Sequence, residues 1–181
     1  MPPKQRITRE MILEKAFDMF CQEGMDAVNA RSVAKALNCS TQPIFSYYTG
    51  MQELRATLDL KAQELFAKEV LEAANGEHAL VELCTAFVLF ACKHPHVYRH
   101  LYESVCDDKQ RLLALVPLCT PMKDQVREKE GLSEEATQDL FKRMTVYCTG
   151  LAAVAIVGLF DTNSTRDIVE KAYTVAVASA R

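Results

Sequence analysis

The feature that most narrows what this chain can fold into is the tempo of helix starts and stops in residues 1–50. Ile7, Met11, Ala16, Phe17, Phe20 and Cys21 recur mostly at three- and four-residue intervals, which predicts an amphipathic helix over Thr8 to Gln22. Glu23-Gly24 ends it, because glycine adopts the left-handed conformation of a helix end without a Cβ penalty. Asn29 is then an N-cap for a helix from Ala30 to Leu37, with Val33, Ala34 and Leu37 facing inward. Asn38-Cys39 makes a turn, and Ser40 is the expected cap of a third helix, Thr41 to Tyr48. Pro43 is tolerated there, since the N–H groups of a first turn have no acceptor within the helix. Thr49-Gly50 breaks this helix, and Glu53 sits where a capping-box carboxylate belongs if Gly50 is the next cap. Three helices this short, joined by turns this tight, form a unit of their own.

Longer helices occupy the rest of the chain. One runs from Met51 to about Ala74 with Leu54, Leu58, Leu65, Phe66 and Leu71 on one side, and Asn75-Gly76 stops it. Glu77 to Lys93 is strongly apolar and is closed by Pro95; His96 to Cys106 reads as a short helix. Asp107-Asp108 can cap a helix running toward Glu130, disturbed by Pro117 and Pro121 and ended by Gly131. Ser133 starts a helix reaching Phe160, and Thr162 or Ser164 caps a last one through Ala180. No stretch alternates with period two for long enough to suggest a sheet, so the fold class is all-α: a small three-helix unit at 1–50 and a larger helical unit at 51–181.

The net charge of −3 excludes a general polyanion binder, whose affinity rests on surplus Lys and Arg. The charge is unevenly spread. Residues 1–50 hold six cations (Lys4, Arg6, Arg9, Lys15, Arg31 and Lys35) against five acids, an excess of +1, which leaves −4 on residues 51–181. Lys4, Arg6 and Arg9 cluster as a basic arm would. Seven cysteines, an odd number without a Cys-x-x-Cys pair, suit a reducing cytosol and small buried apolar sites. The run Met144 to Phe160 carries no charge, but its length is at the bottom of the membrane-spanning range, and an all-apolar helix is also what a buried interface contains. With no basic-then-apolar leader, a cytoplasmic protein without a membrane partner is expected.

A helix-turn-helix lays its second helix in the major groove of duplex DNA while the first braces it across the backbone. Exposed polar residues at the start of the second helix then reach base edges. Thr41, Gln42 and Ser46 answer that description, and Gln42 can pair at two atoms with adenine. Helical spacing sends Ile44, Phe45 and Tyr48 inward and Tyr47 outward, which makes Tyr47 the phosphate contact. Asn29, Arg31 and Lys35 are placed to touch the DNA backbone, and the arm with Lys4 and Arg6 to lie along it. Singly, Asn29 and Ser40 are no more than caps and the tyrosines no more than packing.

Taken together, the residues of this segment say more. Gly24, then Asn29-Ala30-Arg31-Ser32-Val33-Ala34, Asn38-Cys39-Ser40, Ile44-Phe45-Ser46-Tyr47-Tyr48 and Glu53-Leu54, resembles the TetR family of transcriptional regulators. That family pairs a capped helix containing Ile-Ala with a Gly-Val-Ser turn, an aromatic pair and a following Lys-Glu-Glu-Leu. This chain departs at Asn38 for the turn glycine, at Phe45 and Tyr48 for the usual Tyr and Phe, and at Met51 for the usual lysine. Asn still adopts positive φ, whereas Met51 removes a phosphate contact that many relatives use. The resemblance implies a DNA-binding domain at 1–50, an effector-binding and dimerisation domain at 51–181, and a homodimer formed by the last two helices. It implies a repressor that binds double-stranded operator DNA and is released by a small-molecule effector.

The residues support the pairing surface independently. Gly150, Ala152, Ala153, Ala155 and Gly158 permit close helix approach, while Leu151, Val154, Ile156, Val157 and Leu159 supply apolar area, and Ile168, Val169, Ala172, Val175, Ala176 and Ala180 form a second stripe. For the effector, Phe66, Cys84, Phe87, Phe90, His94, Tyr98, Tyr102, Cys119 and Tyr147 offer an aromatic and apolar wall, with Phe87, Phe90, His94, Tyr98 and Tyr147 the chosen ligand contacts. A hydrophobic or aromatic molecule suits such a wall. Switching would act as a population shift carried by the long helix from Met51. Cys92, His96 and His100 are spaced four apart, but Pro95 interrupts their helix, so no metal and no cofactor are expected. Cys39 and Cys106 are the thiols whose oxidation would bear on function, though neither has a partner thiol nearby in sequence. No nucleophile-base pair or phosphate loop points to an enzyme. The competing expectation is a helical small-molecule-binding or scaffolding protein that has lost DNA affinity, to which the acidic balance and Met51 both point.

Overall fold

The computed structural model describes residues 7–74, 76–103 and 120–180. Lys4, Arg6, Asn75, Cys106, Asp107, Asp108, Pro117 and Cys119, all used in the sequence argument, lie outside the described residues. The described elements are helical, and contacts divide the chain into two compact units, residues 1–65 and 66–181.

In the first unit, α1 spans Arg9–Glu23 and is capped by Thr8, whose hydroxyl oxygen accepts the Met11 N–H at 3.2 Å. Gly24, at φ 91°, ends it by donating its N–H to the Phe20 carbonyl. After a 3-10 turn at Met25–Ala27, α2 spans Ala30–Ala36. Its start is a reciprocal capping box: Asn29 Oδ1 accepts from the Arg31 and Ser32 N–H groups at 3.1 and 3.0 Å, and Ser32 Oγ accepts from the Asn29 N–H at 3.1 Å.

The end of α2 sets the direction of the next helix. Asn38 has φ 51°, the only positive value at a non-glycine among the described residues. Its N–H donates to Lys35 O at 3.1 Å and the Cys39 N–H donates to Ala34 O at 3.0 Å, the two nested bonds of a Schellman closure. The chain reverses there into α3, Gln42–Tyr47. Ser40 does not cap this helix. Thr41 precedes it in helical conformation with no side-chain cap, and Pro43 in the first turn removes one of the donors that would need an acceptor.

Ile12, Ala16, Phe20, Val28, Val33, Ala34, Ile44 and Tyr48 are buried and make the core of this unit. Phe45, expected inward, is 52% exposed. Ile44 and Tyr48, four apart, take the inward face of a helix only a turn and a half long, and Phe45 is rotated by about 100° from Ile44. Helix α4, Met51–Phe66, enters this unit through side chains: Glu53 Oε2 accepts the Thr49 N–H at 2.8 Å, and Arg55 Nη2 donates to Val28 O at 3.3 Å. Lys61 Nζ stands 4.8 Å from the centre of the Phe17 ring. Glu53 thus closes a capping ring with Thr49 rather than with Gly50.

Buried residues along this helix and the π-helical turn that extends it, Ala67–Leu71, follow strict four-residue spacing: Leu54, Leu58, Ala62, Phe66 and Val70. Four-residue steps drift around an α-helix of 3.6 residues per turn, and the wider π turn brings Val70 back into line. Leu65 and Leu71, expected on this stripe, are only half-buried.

The second unit is arranged around α5, Ala79–Lys93, against which α8 (Glu134–Ile156) and α9 (Thr165–Ala180) pack. Pro95 begins the short α6, Pro95–Tyr98, which continues as a π-helical turn, Arg99–Glu103; α7 is Thr120–Glu130. Helix α8 starts on Ser133, whose Oγ accepts the Ala136 N–H at 3.1 Å. It stops at Ile156, short of Phe160, because Gly158 takes φ 74°. The Gly158 and Leu159 N–H groups donate to Ala155 O and Val154 O, a second Schellman closure. Gly158 therefore terminates the helix instead of offering a small contact surface along it. Asp161 caps the 3-10 turn, Thr162–Ser164, that leads into α9, accepting from the Asn163 N–H at 3.0 Å.

A polar tie joins the π turn of this unit to the end of α5. Lys93 Nζ donates to Glu69 Oε1 at 2.7 Å, and His94 Nε2 lies 3.2 Å from both Glu69 carboxylate oxygens. Burial pushes the Glu69 carboxyl up, but the hydrogen bonds and positive charge from Lys93 and His94 outweigh it and hold the group below its ordinary 4.5. Since the folded state favours the carboxylate, this tie contributes fully above that ordinary value and is lost as pH falls through the lowered one.

Both devices have measurable effects on stability. Asn38→Ala is expected to lower the unfolding free energy by about 1 kcal/mol while Asn38→Gly does not, because only alanine pays the left-handed penalty; urea unfolding measures both. Glu69→Gln is expected to destabilise by about 1 kcal/mol at neutral pH, and the gap to the parent protein narrows in urea melts as pH falls below the ordinary carboxyl value of 4.5.

Candidate functional site

The turn at Asn38 and the capping box at Asn29 together present α2 and α3 as a helix-turn-helix. On α3, Gln42, Ser46 and Tyr47 are exposed and Thr41 is half-buried, so the expected base-reaching residues share an accessible helix. On α2, Arg31 and Lys35 are exposed and four residues apart, which puts both cations on one side of that helix. This is the local concentration of positive charge that an overall acidic chain can offer a polyanion.

Other side chains are already engaged. Asn29 uses its amide oxygen on the α2 amides, and its Nδ2 approaches Ala27 O at 3.4 Å, so its work is to start the helix. The Ser46 hydroxyl donates to Gln42 O at 2.9 Å. The Tyr47 hydroxyl donates to Ile7 O at 3.3 Å and fixes the chain just ahead of α1 against the end of α3. A phosphate would have to take that donor away from Ile7.

Tyr48 is a second phenol with a different fate. Its ring is buried at 1% exposure under the Arg9 guanidinium, 5.0 Å from the ring centre. Its hydroxyl has no hydrogen-bond partner among the described residues, and burial pushes its pKa up. Sequence spacing placed Tyr48 correctly in the core but gave no sign of the stacked Arg9. It missed the exposure of Phe45 altogether; the short length of α3 was the available signal.

The residues expected to contact an effector divide into two places. Phe87, Phe90, His94 and Tyr98 come together with Phe66 and Tyr102. Ring centres lie 5.2 Å apart for Phe66–Phe90, 5.6 Å for Phe87–Tyr98, 5.4 Å for Tyr98–Tyr102 and 5.1 Å for Phe90–His94. These rings meet mostly edge to face, the arrangement aromatic quadrupoles favour. Both π-helical turns border the cluster, one directly after Phe66 and the other containing Tyr102. Glu69 supplies its adjoining charge through His94.

Tyr147 does not join them. It is 41% exposed and lines an open groove of about 480 Å³ between α8 and α9, with Arg143, Met144, Ile168, Lys171 and Val175. The same two helices and the turn between them expose Val146, Val154, Val157, Leu159 and Val175, with Val146 and Leu159 each 74% open. That is a concentration of apolar area a soluble surface does not usually leave uncovered.

Among the described residues no three of His, Cys, Asp or Glu gather as a metal site. Cys39 is half-buried, while burial raises the thiol pKa of Cys21 and Cys92 and so disfavours their reactive thiolates. No single described helix is long and apolar enough to cross a membrane. The bent pair Ala79–Lys93 and Pro95–Tyr102, which turns by 112°, has the composition, but Leu80, Val81, Cys84, Val88 and Phe90 spend it on the interior of the second unit.

No family model matches the chain. It is 24% identical over 140 residues to the HTH-type transcriptional regulator YobS of Bacillus subtilis, covering 76% of this chain and 72% of that protein. Among solved structures, a TetR-like transcriptional regulator from Rhodococcus sp. RHA1 superposes with TM-score 0.64 at 17% identity, covering 96% of this chain and 99% of the other. The fatty acid degradation regulator FadR from Bacillus halodurans superposes with TM-score 0.56 at 11% identity, covering 96% and 97%. The end-to-end coverage extends the likeness from the helix-turn-helix to the C-terminal helices, and the chain has the all-helical fold of the TetR-type transcriptional regulators.

Proposed function

We propose that this protein is a homodimeric repressor that binds operator DNA through α2 and α3 and leaves it when a small hydrophobic or aromatic effector occupies the second unit. The observation that carries this reading is the accessible α3, with Gln42 outward on a helix directed by the Schellman closure at Asn38. Arg31 and Lys35 would anchor phosphates, Gln42 and Thr41 would reach base edges, and Tyr47 would exchange Ile7 O for a phosphate. Asn29 and Ser46 would position the helices rather than read.

The exposed apolar face of α8 and α9 supports the second half of the reading. A two-fold partner would cover Val146, Val154, Val157, Leu159 and Val175 at once and would seat Tyr147 in the interface. A symmetric pair also supplies two copies of α3 for half-sites one or more helical turns apart. Phe87, Phe90, His94 and Tyr98 are the effector contacts proposed, and an effector that favours one packing of these rings would shift the population of dimers competent to bind.

A DNA-free scaffolding role draws its support from Met51 at the start of α4 and from the engaged Tyr47 hydroxyl. Electrophoretic shift of the purified protein on the DNA upstream of its own gene separates the two, and no complex at low salt would leave the scaffold. Given a complex, Arg31→Ala is expected to weaken binding alike across sequences and to lower the slope of log affinity against log salt by about one. Gln42→Ala is expected to cost about 1–3 kcal/mol and to relax discrimination at one adenine position. Sedimentation of the free protein is expected to give a dimer, and Leu159→Glu together with Val175→Glu a monomer.

A further inference from the structure

On the outward side of α3 the largest apolar surface is the ring of Phe45, 52% exposed and one turn along from Gln42. The polar neighbours are less free than their exposure suggests, because the Ser46 proton is given to Gln42 O and the Tyr47 proton to Ile7 O. A phenyl group neither donates nor accepts a hydrogen bond, so it cannot read the donor and acceptor pattern of a base pair. The major-groove floor does hold one apolar feature, the 5-methyl group of thymine, which cytosine and uracil lack. Residues three apart on a helix are surface neighbours, so a ring at 45 would meet a base at or next to the one facing residue 42.

We propose that Phe45 is a specificity-determining residue that packs against a thymine 5-methyl group, at or beside the adenine read by Gln42. The proposal rests on the DNA-binding reading above and commits to duplex DNA as what covers this ring. The cations Arg31 and Lys35 on α2 of the same unit supply the matching charge. Exposed aromatic surface on a helix otherwise presenting Gln42, Ser46 and Tyr47 then has a use, and Phe in place of the family's usual Tyr trades a phenol donor for a purely apolar contact.

The full-length protein is used to select duplexes from a randomised pool at low salt. If no duplex is recovered, the DNA-binding reading fails and this proposal falls with it. If a site is recovered, each thymine is replaced in turn by deoxyuridine, which removes only the methyl group. Affinities are then measured for the parent protein, Phe45→Ala and Phe45→Leu, with thermal melts confirming that both variants fold. The parent is expected to lose about three- to tenfold at one or two positions, next to the adenine whose replacement Gln42→Ala tolerates. Phe45→Ala is expected to bind thymine and uracil sites alike, and Phe45→Leu to keep part of the preference. Equal binding of the parent to every uracil-substituted site overturns the assignment while leaving DNA binding intact. So does an unchanged thymine preference in Phe45→Ala.

Discussion

The reversal at Asn38 is the constraint on which the N-terminal unit depends. A residue with a Cβ is held at φ 51°, where left-handed backbone costs an ordinary side chain about 1–2 kcal/mol and Asn less. The cost is met by two backbone bonds that satisfy the carbonyls of Ala34 and Lys35 at the end of α2. Those bonds aim the chain so that Ile44 and Tyr48 enter the core and Gln42 does not. Any other path out of α2 would move the α3 stripe relative to the core and change which residues of a six-residue helix are outside.

Within each unit, polar groups fix what apolar burial leaves loose. In the first, Thr8, Asn29 and Glu53 each satisfy N–H groups at or just before a helix start, and Arg55 and Lys61 bind α4 to Val28 and Phe17. In the second, Glu69 with Lys93 and His94 ties the π turn after Phe66 to the end of α5, beside the cluster of rings.

Much of this was legible in the sequence, for identifiable reasons. Thr8 to Gln22, Asn29 as a cap, Asn38 at positive φ and Ser133 as a helix start were readable because caps are local chemistry: a short side chain, a free N–H and a few residues between them. The errors come where local signals compete. Ser40 lost its cap role to Thr41 backbone geometry, and Gly158 ended α8 where apolar periodicity ran on to Phe160. Helical spacing sends Phe45 inward, but Ile44 and Tyr48 take the inward face of this six-residue helix and its end, and Phe45 stays 52% exposed. Residue type groups Tyr147 with the aromatic wall, and only the packing of α8 against α9 reveals that it faces a groove. The Glu69 tie was invisible for another reason: it joins residues 24 and 25 apart in sequence.

The central claim is that two copies of the Asn38-directed helix read one duplex together. Hydroxyl-radical footprinting on the DNA upstream of the protein's own gene tests it most directly. The account predicts two dyad-related protected tracts on one face of the duplex, centred about 10 base pairs apart or a multiple of that spacing. A single tract, or cleavage unchanged at saturating protein, would contradict it.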